Sequence, residues 1–167
     1  MNIDTDFLLH LNGLMAAIEG PTEIAVAGGA IRDMLFEKEI KDVDVFYSGN
    51  ITWMPPVWGS KESLHTYKGS DFFLYSELPN GTLNIPVPIQ FINVENVQKA
   101  IDSFPSSFCK NALFLDKGLH IDMECMSNSS VNMVDYDHLK KETSHHLRMK
   151  AKYHDWNFWY VDKEVPF

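Results

Sequence analysis

Apolar side chains at Phe7, Leu8, Leu11, Leu14, Met15 and Ile18 recur at three- and four-residue intervals. That spacing predicts an amphipathic helix, capped by Asp4 or Thr5 and closed by Gly20-Pro21. The next apolar run, Thr22 to Ala27, is short and β-favouring, and it ends in Gly28-Gly29, which marks a strand-to-helix turn. After a short helix the period changes to two. In Lys41 to Phe46 charged and apolar residues alternate, so a strand presents Asp42 and Asp44 on one face and sends Val43 and Val45 into the core. Ser48 to Ser60, with Pro55-Pro56 and Gly59, reads as a loop bordering that face.

Further along, strands are predicted at Asp71 to Glu77 and Leu83 to Asn93, joined by Pro79-Asn80-Gly81. Pro86 and Pro88 make the second of these partly an edge, or start it only at Val87. A helix over Glu95 to Ser103 follows. Strands over Ser106 to Leu115 and Gly118 to Cys125 are separated by a tight Asp116-Lys117-Gly118 turn, and a long final helix runs from about Asp135 to Asn157 ahead of an aromatic tail. The order is α+β: a mixed sheet flanked by helices with a C-terminal helix, without repeats. The 167 residues, 45% hydrophobic, suit one domain over 1–167 with a core of useful size, the long helix and tail occupying about 135–167.

Charge narrows the partners. A formal net charge of −9 argues against non-specific binding to a nucleic-acid backbone, which normally requires a basic surface. The basic residues near the C-terminus, Lys140, Lys141, Arg148, Lys150 and Lys152, read as an ordinary solvated helix face. The aromatic residues Trp156, Phe158, Trp159 and Tyr160 read as residues that fasten the tail to the core. Cys109 and Cys125 lack metal-ligand spacing and suit buried thiols in a reducing compartment. His138 and His145, or His146 and His154, stand about two helical turns apart, too far to chelate one zinc ion as an i, i+4 pair would. No run has transmembrane length and the N-terminus carries no secretion pattern, so a cytoplasmic protein is expected.

The chemistry concentrates between Gly28 and Phe46. Glycines at the turn let a backbone approach a ligand closely, and the helix that follows presents free N–H groups to an anion such as phosphate. Arg32 lies in the first turn of that helix and can reach the same anion. Two carboxylates on one strand face, roughly 7 Å apart along the strand, can share hard cations such as Mg²⁺ whose shells phosphate oxygens complete.

This ordered set, Gly28-Gly29, Arg32-Asp33 and then Asp42-x-Asp44, resembles the signature of the DNA polymerase β-like nucleotidyltransferase superfamily. It is most similar to the head domain of the CCA-adding tRNA nucleotidyltransferases and bacterial poly(A) polymerases, in which G-G-x-V-R-D is followed by D-x-D. The resemblance implies a nucleotidyltransferase fold and a nucleoside triphosphate substrate with Mg²⁺ or Mn²⁺. It makes Asp42 and Asp44 the catalytic, metal-binding carboxylates and puts Gly28, Gly29, Arg32 and Asp33 at the nucleotide. Asp33 is expected to orient Arg32 or brace the turn rather than touch metal. The ending, HHLRMKAKYHDWNFW, is similar to that of short phage-encoded nucleotidyltransferase-like proteins, which implies a host cytoplasm.

The likeness thins beyond the signature. The superfamily's third carboxylate comes from a later strand, and the matching strand here, Val87 to Val94, offers Gln90, which can ligate a metal through its amide oxygen but cannot take a proton. Asp71, Glu77, Asp122 and Glu124 are alternative carboxylates. Pro105 to Ala112 resembles the family's R-R-D-F-T-I-N-A segment: Phe108, Asn111 and Ala112 match, whereas Pro105, Ser106 and Ser107 replace Arg-Arg-Asp, with Lys110 as a substitute cation for the triphosphate. CCA-adding enzymes continue into helical neck and body domains, whereas 167 residues are expected to form the head alone. Two functions follow as expectations. One is a metal-dependent enzyme that moves a nucleoside monophosphate from a triphosphate to a hydroxyl on an RNA end, a protein side chain or a small molecule. The other is a catalytically weak or inactive relative that works by binding a partner protein. The intact Asp42-x-Asp44 favours the enzyme, because two close carboxylates without metal repel each other.

Overall fold

The structure is a computed structural model that describes residues 1–53, 61–65, 71–77, 86–104, 109–122, 130–136 and 144–162. The predicted turn at Pro79-Asn80-Gly81, the prolines at 55 and 56, and Glu124, Cys125, Lys140 and Lys141 lie outside the described residues.

Helix α1 (Thr5–Ala16) starts where Asp4 accepts a hydrogen bond from the Phe7 N–H at 3.0 Å, and it buries Phe7, Leu11, Leu14 and Met15. Strand β1 (Glu19–Ala27) leads through Gly28 into α2 (Gly29–Leu35), and β2 (Val43–Trp53) returns antiparallel to β1. Next come β3 (Lys61–His65), β4 (Asp71–Glu77), β5 (Pro86–Asn93) and α3 (Val97–Asp102). The short strands β6 (Ala112–Phe114) and β7 (Gly118–His120) complete a seven-stranded mixed sheet of order β3-β4-β5-β2-β1-β6-β7. Among the described residues only its β2–β5 pairing is parallel.

The period-two pattern of β2 sorts its side chains between two cores. Val43, Val45 and Tyr47 join α1 and α2 on one face, with Ile89 and Phe91 from β5. Phe46 joins Ala25, Ala27 and the α3 residues Val97 and Ile101 on the other. Asp44 therefore belongs to the α3 face, the same face as Phe46.

Three expectations are corrected. Gly20-Pro21 does not break the chain: β1 begins at Glu19 and passes through both residues with register shifts on either side of Pro21, Gly20 adopting φ +116° where a side chain would collide with Asn50 O. β2 consequently extends to Trp53, through residues 48–53 that the sequence assigns to a loop. The C-terminal helix is also bounded differently from the expected 135–157: among the described residues Ser144–Lys152 are helical, whereas Asp135, Tyr136 and Asn157 lie in strands. The elements there are β8 (Ser130–Tyr136), α4 (Ser144–Lys152) and β9 (Asn157–Asp162), with β8 and β9 paired in parallel as a separate two-stranded sheet. The β-branched and aromatic residues of Val131 to Tyr136 and Phe158 to Val161 suit strands better than a helix. Pro86 and Pro88 fall where β5 pairs with β4 alone, since its ladder with β2 starts at Ile89, so the missing N–H groups cost little.

Candidate functional site

Sheet register assembles the site. Asp44 stands beside Ala27 of β1 on one side and beside Gln90 of β5 on the other. The glycine turn therefore leaves the sheet next to Asp44. Gly28 has φ +81°, a region that favours glycine, and its carbonyl accepts the first α2 hydrogen bond, from Arg32 N–H at 3.1 Å. Asp42 precedes β2 and is exposed, whereas Asp44 is half-buried. Lys110, half-buried, lies two residues before Ala112, the other register partner of Ala27, and so comes to the same end of β1.

Of the alternative carboxylates, Asp71 occupies the β4 position opposite Ile92, two residues from Gln90's partner Phe73, and Glu77 the position opposite Pro86. Asp122 is engaged through its backbone N–H, which donates at 2.7 Å to Oδ1 of the fully buried Asn111 and braces β6 against the chain after β7. Among the described residues no group of three or more His, Cys, Asp or Glu is placed to hold a metal ion. The register brings Asp44 beside Gln90, and Asp42 stands two residues before Asp44 in the chain. All are hard oxygen donors, and such a set fits Mg²⁺ or Mn²⁺ when phosphate oxygens complete the shell.

Arg32 and Asp33 are buried, at 6% and 3% exposure. The Arg32 guanidinium forks onto Asp33, Nε to Oδ1 at 2.8 Å and Nη2 to Oδ2 at 3.1 Å, and Nη1 points at the sulfurs of Met149 and Cys109. The same carboxylate accepts from Lys152 Nζ at 2.5 Å and from the Tyr153 hydroxyl at 2.7 Å. Asp33 is thus the post to which α4 and the turn after it are tied, through two residues that the sequence signature does not contain. Burial, then the Asp33 carboxylate, pushes the Tyr153 hydroxyl up, so it stays protonated and donates. Burial by itself lowers the Arg32 pKa; Cys109, Asp33 and Tyr153 outweigh it and keep the guanidinium charged. Arg32 is not withdrawn from the turn, because a Cβ added to Gly29 would lie 3.2 Å from its Nη2.

The C-terminal segment closes over this network. Trp156 packs edge-on against Phe36 with centroids 4.5 Å apart, and Phe158 packs against the cluster of Cys109, Met149 and Tyr153. Between α2, the chain at 38–42 and α4 lies a cleft of about 660 Å³ that reaches from Gly29 to Asp42. Lys38, Lys41 and Arg148 line it and were not singled out as site residues from the sequence. The available signal was two lysines between Arg32-Asp33 and Asp42-x-Asp44 in an acidic chain.

No protein-family model matches this sequence, and no curated protein matches it. Solved structures do. A CCA-adding enzyme in complex with ATP superposes with a TM-score of 0.56 over 93% of this chain at 17% identity, and a CCA-adding enzyme with CTP gives 0.54 over 78%, again at 17%. This chain has the nucleotidyltransferase fold. The CCA-adding enzyme of Thermotoga maritima complexed with tRNA is similar at a TM-score of 0.50, 78% coverage and 18% identity. The chain spans 33–40% of the length of these three structures, so it matches the nucleotidyltransferase fold over only part of each. Among the described residues no helix is long and apolar enough to cross a membrane.

Proposed function

We propose that the protein transfers a nucleoside monophosphate from a nucleoside triphosphate to a hydroxyl acceptor. The observation that carries this reading is the register of three strands: it sets Asp44 between the strand that ends in Gly28-Gly29 and the strand that carries Gln90. Asp42 and Asp44 hold the divalent ions, and Gln90 contributes an amide oxygen beside them. The glycine turn admits the triphosphate close to the backbone, with Arg32 and Lys110 as cations at the same end of β1. Asp33 braces Arg32. Mg²⁺ or Mn²⁺ bound there supplies Lewis-acid stabilisation of the charge that builds on the leaving pyrophosphate. In the transfer the acceptor oxygen bonds to the α-phosphorus, the bond from that phosphorus to the bridging oxygen breaks, and the hydroxyl proton passes to solvent.

The net charge of −9 favours a protein side chain or a small molecule over an RNA end as acceptor. The test is Mg²⁺- or Mn²⁺-dependent incorporation of each α-labelled nucleoside triphosphate into total RNA, total protein, small molecules and the protein itself. Label is expected in one of these fractions and is abolished by chelator. Absence of label from every fraction overturns the enzyme reading.

Gln90 favours a second reading, a relative that keeps the fold and acts by binding a partner protein. An amide beside Asp44 cannot serve as general base, and such assistance is worth about 10²–10⁴ in rate. Gln90→Glu separates the two readings. In a working enzyme the added carboxylate should raise the labelling rate at least about tenfold, while lowering stability without metal through like charges side by side on neighbouring strands. A Gln90→Glu variant that labels nothing, although calorimetry shows the metal–triphosphate complex to bind, supports the binding protein.

A further inference from the structure

The cleft beside Asp42 is cationic in a chain that is acidic overall. Five of its lining side chains are basic and three are carboxylates. The deepest carboxylate, Asp33, is committed to Arg32, Lys152 and Tyr153, so its charge is answered within the fold. Neither Lys41 nor Arg148 has an ion-pair or hydrogen-bond partner among the described residues. Lys38 rests over the Tyr153 ring, its Nζ 5.5 Å from the centroid. With Arg32, Asp33 and Lys152 set aside as one network, Lys38, Lys41 and Arg148 face Glu39 and Asp42, an excess of one positive charge that a bound anion would answer. Met149 and Ala151 add an apolar stretch of wall, and about 660 Å³ suits a molecule the size of a nucleotide rather than a duplex.

We propose that this cleft binds phosphate groups of a nucleotide-sized ligand, held by Lys41 and Arg148 with Lys38 in support. The proposal rests on the nucleotidyl-transfer reading for the choice of ligand. Its phosphate is either the β,γ end of the triphosphate or a phosphate carried by the acceptor.

The experiment is calorimetry on the full chain with chelator present, using inorganic tripolyphosphate and adenosine 5′-monophosphate as probes. Wild type is compared with Lys41→Gln/Arg148→Gln and with the control Lys99→Gln/Lys117→Gln, whose lysines are exposed elsewhere. Wild type is expected to bind at least one probe. The cleft variant should lose about thirtyfold or more in affinity, since each charge-assisted contact is worth about tenfold, and the control should stay within about threefold. Binding of tripolyphosphate alone identifies the triphosphate tail; binding of the monophosphate on top of a non-hydrolysable triphosphate identifies the acceptor. Equal losses in both double variants, or no binding to wild type, overturn the proposal. Both pairs are exposed, and unchanged unfolding midpoints exclude a folding artefact. If label incorporation fails while cleft binding persists, the transfer reading falls and the anion site stands.

Discussion

Asp44→Asn is expected to lower the rate of nucleotide incorporation by about 10³, the scale of removing one element of charge stabilisation from a transfer site. Asp44 lies between Ala27 and Gln90 in the ladder, and no other described carboxylate shares its place. Asp42→Asn should cost a similar amount. The double variant should be little worse than either single one, because in the proposed transfer the two residues serve the same ions and act as a unit. Stability should move the opposite way. Without metal, neutralising one of two close carboxylates relieves repulsion worth a few tenths of a kcal/mol, so the unfolding midpoint stays level or rises. An inactive variant that also unfolds early would place Asp44 in the framework instead of the chemistry. Single-turnover labelling and urea unfolding, read on the same preparations, check both halves.

Asp33→Ala is expected to destabilise the protein by about 3–5 kcal/mol, the loss seen when one partner of a buried ion pair is deleted and the other stays behind. The carboxylate is 3% exposed and answers Arg32, which is 6% exposed, together with Lys152 and Tyr153. Its removal strands a buried guanidinium among the Cys109 and Met149 sulfurs, which are weak acceptors. Lys152→Met should cost less, about 1–2 kcal/mol, because Arg32 and Tyr153 remain on Asp33 and the lysine side chain is 20% exposed. Urea unfolding of the three proteins gives the comparison. Near-equal losses for Asp33→Ala and Lys152→Met would mean that the ion pair with α4 carries the whole effect and that Arg32 is satisfied without Asp33. Amide exchange in α4 should accelerate in both variants, since the network is what fastens that helix to α2.

Much of the central architecture is legible in local patterning. The first helix, the glycine turn, the alternating strand from Val43 and the strand at 71–77 follow from periodicity and turn chemistry. These features depend on neighbours within one turn or one strand, where sequence spacing and spatial proximity coincide. The misreadings share a different cause. Gly20 and Pro21 are breakers by local rule, yet β2 pairs across them and absorbs the irregularity as shifts in register. Local pattern puts Asp135, Tyr136 and Asn157 in one helix with α4, yet the chain at 130–136 finds a parallel partner at 157–162, a pairing between distant positions that no short window contains.

The groups able to do chemistry here can be read from the chain alone: two carboxylates separated by one residue, a glycine pair ahead of them and an Arg-Asp pair between. What stands beside each follows from packing. Strand register brought Gln90 to Asp44 across 46 positions of chain, and docking of α4 gave Asp33 its Lys152 and Tyr153 partners and built the basic cleft. The physical reason is that charge and hydrogen-bonding capacity belong to a side chain, whereas ligation, neutralisation and pKa belong to its neighbours, and those neighbours are chosen by the packing of two sheet faces and one short helix.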